Sequence, residues 1–194
     1  MKAIRRTRRL LWELALLAAV AAAALAFARF GFGRYYERAY PMDYAALIDA
    51  ACEERGLDRA LVYAVVRTES GFRAHAESEV GARGLMQLMP DAYDWVRMRT
   101  GAGEGPVDYD SLFDPETNIA CGTAMLRLLL DEFETVENAL AAYHAGWGSV
   151  KEWLRNPDYA PDGKNLAHIP FEDTRGYVAK VKRTMDVYRK LYDL

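Results

Sequence analysis

The first thirty residues combine a basic start with a long apolar run, and this pattern limits where a globular domain can begin. Five Lys and Arg residues lie within positions 2–9, and residues 10–28 form a run of 19 with Glu13 as its polar interruption. That length is intermediate between the core of a signal peptide and a complete membrane span. Ala26-Phe27-Ala28 resembles a cleavage site, whereas the arginines and tyrosines within 29–38 are typical of anchors at a membrane interface. We predict a signal anchor over residues 1–30, with a cleaved signal peptide as the open alternative, and a juxtamembrane linker over residues 31–42.

Residues 43–194 are predicted to form one exported globular domain. The basic N-terminus stays in the cytoplasm, so the domain faces the periplasm or the outer side of the cytoplasmic membrane, and it is secreted if the apolar run is cleaved. Residues 30–194 carry a net charge of −8, which argues against a nucleic-acid partner. The expected partner of the N-terminal segment is the membrane.

The cysteines and histidines give no pattern of a metal site. Cys52 and Cys121 both lie in predicted helices, where they are either a disulfide of the oxidising compartment or two small buried apolar residues. His75, His144 and His168 are too scattered to complete a ligand set. We therefore expect neither a metal nor another cofactor.

Helical periodicity runs through the exported part, and no segment has a convincing strand pattern. The Asp58 cap and the prolines Pro90 and Pro115 mark helix starts, and Gly56 marks a helix end. The predicted helices cover residues 43–55, 58–69, 85–89 as one short turn, 90 onward, 114–133, 135–146, a segment around 153, and 173–192. Loops are predicted over 71–84, 101–105 and 156–171. This indicates an irregular all-α domain, of the kind that leaves a groove between helical layers.

Glu69 is the strongest candidate for chemistry. Val62, Val65, Val66 and Glu69 follow the i, i+3, i+4, i+7 spacing of one helix face, so the acid continues an apolar stripe at the end of its helix. Burial and the negative end of the helix dipole both raise a carboxyl pKa, which is how a general acid is built. Taken alone, a helix-terminal Glu that turns out to solvent is the commoner case.

The segments that follow Glu69 change that balance. They read, in order, Glu69-Ser70-Gly71-Phe72, then GARGLMQLMP over 81–90, DPETNI over 114–119, ALAAYHAG over 139–146 and IPFEDTRGYV over 169–178. In this order and at this spacing, residues 44–190 closely resemble the catalytic domain of the soluble-lytic-transglycosylase (SLT-type) family, which is lysozyme-like.

The resemblance implies a fold, a reaction and a set of site residues. The family cleaves the β-1,4 bond between N-acetylmuramic acid and N-acetylglucosamine in peptidoglycan without water, and so gives 1,6-anhydro products. Glu69 would be the single acid and base. The implied substrate-binding residues are Ser78, Met86, Gln87, Met89, Tyr143, His144, Asp173 and Tyr177.

Three positions depart from the family pattern, and two other functions remain open. His144 stands where Asn is usual, Trp147 replaces the proline of Gly-Pro-Gly, and Asp173 replaces a glutamate, with Glu172 adjacent. These changes place the subsite preferences in question, whereas Glu69 is untouched. The alternatives are a lysozyme-type muramidase that uses water and an inactive glycan-binding scaffold. Whether a cell-wall or secretion assembly is a further partner stays open from the sequence.

Overall fold

The computed structural model describes residues 2–101 and 108–194. It divides into two compact units, Met1–Pro41 and Met42–Leu194. The first unit consists of helix α1, Lys2–Ala39, so most of the segment expected as a linker is helical. Within its part Leu11–Ala39, a window of 18 residues has a mean hydropathy of 2.1 and no buried residues, so the helix is long and apolar enough to cross a membrane.

The second unit is built from helices of unequal length. These are α2 (Ala45–Arg55), α3 (Arg59–Glu69), α4 (Pro90–Thr100), a 3₁₀ helix (Tyr109–Phe113), α5 (Pro115–Phe133), α6 (Val136–Ala145), α7 (Trp147–Leu154) and α8 (Glu172–Tyr192). Helix α3 packs most extensively against α8, and α5 packs against α2 and α6. Every residue of α3 from Ala60 to Val66 is buried, whereas the last three residues of the helix, Arg67 to Glu69, are partly exposed.

The predicted helix ends are confirmed where a local signal marks them. Asp58 accepts a hydrogen bond from the Ala60 amide at 2.8 Å, and Asp114 accepts one from the Thr117 amide at 2.8 Å. Each bond satisfies an amide that a helix leaves unpaired at its start. Gly56 ends α2 with a φ of 60°, a left-handed conformation that suits glycine.

The short helical turn predicted over residues 85–89 is wrong. The segment is a tight turn in which Arg83 and Leu88 exchange two backbone hydrogen bonds of 3.0 Å. Gly84 and Gln87 have φ values of 76° and 47°, and left-handed residues interrupt a right-handed helix. Gly101, the first residue of the predicted 101–105 loop, ends α4; the rest of that loop lies outside the described residues.

Both cysteines are buried free thiols, Cys52 on α2 and Cys121 on α5. Burial raises the pKa of each thiol to about 12. In this structure they therefore act as the small apolar residues that were one of the two expectations.

Candidate active site

Residues 70–73 leave α3 through a fixed, strained turn. The buried Ser70 donates its hydroxyl to the Leu85 carbonyl at 2.7 Å. Gly71 and Phe72 follow with φ values of 61° and 65°. A left-handed phenylalanine costs roughly 1–2 kcal/mol, and here its ring is 6% exposed, so apolar burial offsets that strain. The backbone after Glu69 therefore changes direction at residues 70–73, and α3 ends there.

Asn118 on α5 holds the tight turn that faces Glu69. Its side-chain oxygen accepts from the Met86 amide at 2.8 Å, and its nitrogen donates to the carbonyls of Arg83 (3.0 Å) and Leu112 (2.8 Å). A Cβ on Gly84 would lie 2.1 Å from the Leu112 carbonyl oxygen. Only glycine therefore fits that position. The Asn118 side-chain amide, which donates two hydrogen bonds and accepts one, attaches the turn to α5.

Glu69 lies at the end of α3, surrounded by protein on most sides and open to a cleft. Tyr177 on α8 donates its hydroxyl to Glu69 Oε1 at 2.6 Å. Burial raises the pKa of the carboxyl from 4.5 to about 7, although the Tyr177 hydrogen bond and the charge of Lys180 both lower it. A carboxyl with this pKa is present in both protonation states near neutral pH, so it can donate a proton and then accept one.

The cleft has a volume of about 640 Å³, within the range of small-ligand sites. Its lining is Glu69, Arg73, Ala74, His75, Ala76, Glu77, Ser78 and Gln87. The structure thus brings three of the expected site residues together.

The amide and hydroxyl in this lining are oriented by the protein. Gln87 Nε2 donates to the carbonyls of Ala76 (3.1 Å) and Gly84 (3.0 Å). Its Oε1 has no hydrogen-bond donor among the described residues, and so it is available to a ligand. Ser78 Oγ accepts from the Ala82 amide at 2.9 Å, which leaves its own hydrogen to donate.

Glu77 is the other carboxylate in the cleft lining, and it is held by an arginine. Arg83 Nε donates to Glu77 Oε1 at 3.1 Å, and Arg83 Nη1 donates to Asp110 at 3.0 Å. The Glu77 side chain is 49% exposed, so solvent and Arg83 both stabilise its charge. It does not share the buried setting of Glu69.

The two expected methionines have different positions. The Met86 side chain is fully buried, and a Cβ on Gly122 would lie 2.3 Å from its sulfur. The expectation that Met86 lines a sugar subsite is therefore corrected, because close packing on α5 places its side chain in the core. Its carbonyl instead accepts a 2.8 Å hydrogen bond from the buried Tyr143 hydroxyl. Met89, 38% exposed at the start of α4, remains available to a ligand.

His144 contacts the ring of Tyr177, and Asp173 contacts Thr174 near the start of the helix that contains Tyr177. The His144 ring lies 4.5 Å from the Tyr177 ring, centroid to centroid, and its Nδ1 is 3.1 Å from Thr174 Oγ1. Burial lowers the pKa of His144, and the charge of Asp173 opposes that effect. Asp173 accepts from the Thr174 amide at 2.7 Å. Both residues are exposed, and neither is among the residues that line the cleft at Glu69.

Several residues of this site lie outside the expected set. Lys180 acts on the Glu69 carboxyl through its charge, and Arg73 and His75 line the cleft. Asn118 could have been found from the sequence, because it is a polar residue among the apolar residues of the buried face of α5. In residues 2–101 and 108–194, no group of three His, Cys, Asp or Glu side chains is arranged to hold a metal ion.

Residues 46–166 match the family model described as the transglycosylase SLT domain. The chain belongs to this family. The soluble lytic murein transglycosylase of Escherichia coli K12 is 35% identical over an alignment of 161 residues, which covers 80% of this chain and 24% of that protein. A membrane-bound lytic murein transglycosylase C from Actinobacillus succinogenes is 29% identical over 76% of this chain and 47% of its own length.

A solved structure extends the likeness to the fold. The lytic transglycosylase Slt of Pseudomonas aeruginosa, crystallised as an inactive Glu-to-Gln mutant, superposes with a TM-score of 0.68 at 33% identity. The match covers 79% of this chain and 25% of that one. The predicted fold class, an all-α lysozyme-like domain, is thus confirmed. This chain spans about a quarter of the length of these soluble relatives.

Proposed function

We propose that this protein is a peptidoglycan lytic transglycosylase in which Glu69 acts first as acid and then as base. The observation that carries the proposal is the largely enclosed carboxyl of Glu69, which lines a cleft, has a pKa of about 7 and accepts a 2.6 Å hydrogen bond from Tyr177. Membership of the transglycosylase family and the names of the relatives agree with it.

In the first step Glu69 gives its proton to the oxygen of the β-1,4 bond, and the bond from C1 of N-acetylmuramic acid to that oxygen breaks. Glycosidases with two catalytic carboxylates stabilise the resulting cationic centre with the second one. Here the other carboxylate of the cleft lining, Glu77, is bound by Arg83. This arrangement supports assistance by the substrate, whose N-acetyl oxygen closes onto C1.

In the second step the Glu69 carboxylate takes the proton of the 6-hydroxyl of the same sugar. O6 attacks C1, the N-acetyl oxygen leaves, and the 1,6-anhydro ring forms. No water is consumed, and Glu69 ends protonated, as it began. A pKa near neutrality serves both steps, because the same group has to release and recover a proton. Gln87 Oε1 and the Ser78 hydroxyl are proposed to bind the sugar next to Glu69, and Met89 to contact it farther along.

The experiment is digestion of purified peptidoglycan sacculi by the full-length protein, with mass spectrometry of the released fragments. We expect 1,6-anhydro products, each one water lighter than the fragment a hydrolase releases. Glu69→Gln should release no product and keep the wild-type circular dichroism spectrum, as the inactive Glu-to-Gln mutant of the Pseudomonas relative leads one to expect. Glu79→Gln, in the exposed loop, is the matched control and should remain active.

The same experiment decides between the alternatives. Products that carry one additional water would identify a muramidase. A Glu69→Gln protein that digests sacculi at the wild-type rate would remove Glu69 from the mechanism. A wild-type protein that binds sacculi and releases nothing would be a scaffold.

A further inference from the structure

Arg73 is a cation in the cleft lining that the proposed chemistry does not use. It lines the same cleft as Glu69, and its Nε donates to the Ser70 carbonyl at 2.9 Å. Within the described part of the chain, its two terminal nitrogens have neither a hydrogen-bond acceptor nor an ion-pair partner. One edge of the guanidinium is thus attached to the protein, and the other edge is available.

The attachment point of Arg73 is rigid. Ser70 is 2% exposed and is bound through its hydroxyl to the Leu85 carbonyl. Phe72, the residue before Arg73, is buried and has a left-handed φ of 65°. A guanidinium held in this way loses less conformational entropy on binding than a freely rotating side chain. Its planar edge matches a carboxylate through two parallel hydrogen bonds.

The charges around the cleft leave Arg73 uncompensated. Glu77 forms an ion pair with Arg83 at 3.1 Å. The charge of Lys180 lowers the pKa of the Glu69 carboxyl. Residues 30–194 carry a net charge of −8, so the domain as a whole repels an acidic polymer. The Arg73 guanidinium in the cleft lining would attract an acidic group of the substrate and so offset that repulsion locally.

We propose that Arg73 binds a carboxylate of the glycan substrate and so makes the cleft selective for strands that carry free acid groups beside the scissile bond. The inference rests on the proposed function. Peptidoglycan offers two sources of this chemistry, the carboxylates of the peptide stem and, where the stem has been removed, the lactyl carboxylate of the muramic acid. Arg73 determines specificity and takes no part in proton transfer.

The test compares native strands with strands whose carboxyl groups have been converted to amides, using the full-length protein. Arg73→Gln should lower kcat/KM on native strands about tenfold, mainly through KM, because one charge-assisted contact is lost. On amidated strands the loss should stay below about twofold, because the partner of the guanidinium is gone. Arg73→Lys, which keeps the charge without the planar edge, should fall between wild type and Arg73→Gln.

The matched control is Arg183→Gln, which removes the same charge from an exposed position of α8 outside the cleft lining. It should match the wild type on both substrates. An equal loss for Arg73→Gln on native and amidated strands, or no loss on either native or peptide-stripped strands, overturns the proposal. Strands stripped of peptides by an amidase separate the two sources, because their lactyl carboxylates are free. A loss that appears only on stripped strands assigns the lactyl carboxylate, and a loss confined to peptide-bearing strands assigns the stem.

A binding measurement keeps this test separate from the test of catalysis. If the wild-type protein releases no product, the proposed function fails, and calorimetry with Glu69→Gln protein and soluble disaccharide-peptide fragments still reports on Arg73. Native fragments should bind about tenfold more tightly than amidated ones, and adding Arg73→Gln should remove the preference. Equal affinity for both fragments, or binding to neither, overturns the inference.

Discussion

At the scale of single residues, Glu69 combines a cost in stability with a gain in reactivity. Its pKa is raised from 4.5 to about 7 by burial, so the folded protein binds the proton more tightly than the unfolded chain does. The stabilisation from this group is therefore fully present below pH 4.5, and it is lost as the pH rises from there to about 7. The carboxyl is thus held in a setting that favours its protonated form, which is the form a general acid requires.

Tyr177 opposes that shift, which gives a prediction for the pH dependence of activity. Its hydroxyl donates to Glu69 Oε1 and stabilises the carboxylate, so it lowers the pKa. Tyr177→Phe should raise the pKa of Glu69 by about one unit, as expected for a charge-assisted hydrogen bond. The alkaline limb of the profile of kcat/KM against pH should move to higher pH by the same amount. The rate itself should fall, because a carboxyl with a higher pKa is a weaker proton donor and because Glu69 loses the hydroxyl that orients it.

The control for this prediction is Tyr159→Phe. Tyr159 lies in the irregular 156–171 stretch, outside the cleft lining, and its substitution should leave the profile unchanged. A limb that moves to lower pH in Tyr177→Phe would show that the hydroxyl does not stabilise the carboxylate. Titration of Glu69 by carbon NMR gives the same quantity without turnover.

At the scale of elements, the structure shows which features a sequence can predict. The starts of α3, α5 and α6 were predicted correctly because Asp58, Asp114 and Thr135 each bond an amide two or three residues away. Such a signal is contained in the segment itself. The position of Glu69 at the end of an apolar face was predicted for the same reason, since helical spacing alone defines that face.

The tight turn at 84–88 and the Met86 side chain were not predicted correctly, because their conformations depend on distant residues. Asn118, 32 positions after Met86, holds the turn through a hydrogen bond to the Met86 amide. Gly122, one helical turn farther along, makes the space that the Met86 side chain fills. A segment rich in Leu and Met reads as helical by local propensity, and the tertiary bonds override that preference.

Asn118 is therefore expected to link the stability of the domain to the geometry of its site. Asn118→Leu keeps the volume but leaves the buried Met86 amide and the Leu112 carbonyl without the partners they have now. Unsatisfied buried groups cost roughly 1–3 kcal/mol each, so the free energy of unfolding should fall by about 3 kcal/mol. Activity should fall as well, because the Met86 carbonyl is the acceptor of the Tyr143 hydroxyl.

Urea unfolding of the variant measures this effect, and Thr123→Val is its control. Thr123 is buried on the same helix, but its hydroxyl bonds to the Ile119 carbonyl of its own helix at 2.7 Å. Loss of that bond should cost less than about 1 kcal/mol. If Asn118→Leu were no less stable than Thr123→Val, the turn would not depend on Asn118.

At the scale of the whole molecule, the N-terminal unit has the length and composition of a membrane anchor. Residues 10–28 of α1 would extend about 28 Å as a helix, close to the roughly 30 Å of a bilayer core. Beyond them Tyr35 and Tyr36 make an edge-to-face ring contact of 5.7 Å, and the Arg34 guanidinium lies over the Phe30 ring. Aromatic and basic residues at this point are typical of a membrane interface. We propose that the helix anchors the protein with Met42–Leu194 on the outer side.

This proposal predicts that the two units separate in function when the chain is cut. The full-length protein should remain in the membrane fraction after washes with high salt and carbonate, which remove proteins held by surface charge alone. A fragment of residues 42–194 should be soluble, because the described hydrophobic core of the catalytic unit lies within it. It should melt at the same temperature as the full-length protein in detergent, and it should digest soluble glycan strands at the same rate.

Mass spectrometry of protein recovered from cells distinguishes an anchor from a cleaved signal peptide. An intact N-terminus in the membrane fraction supports the anchor. Loss of the residues up to about the Ala26-Phe27-Ala28 site, with release of the protein into the soluble fraction, identifies a cleaved signal peptide.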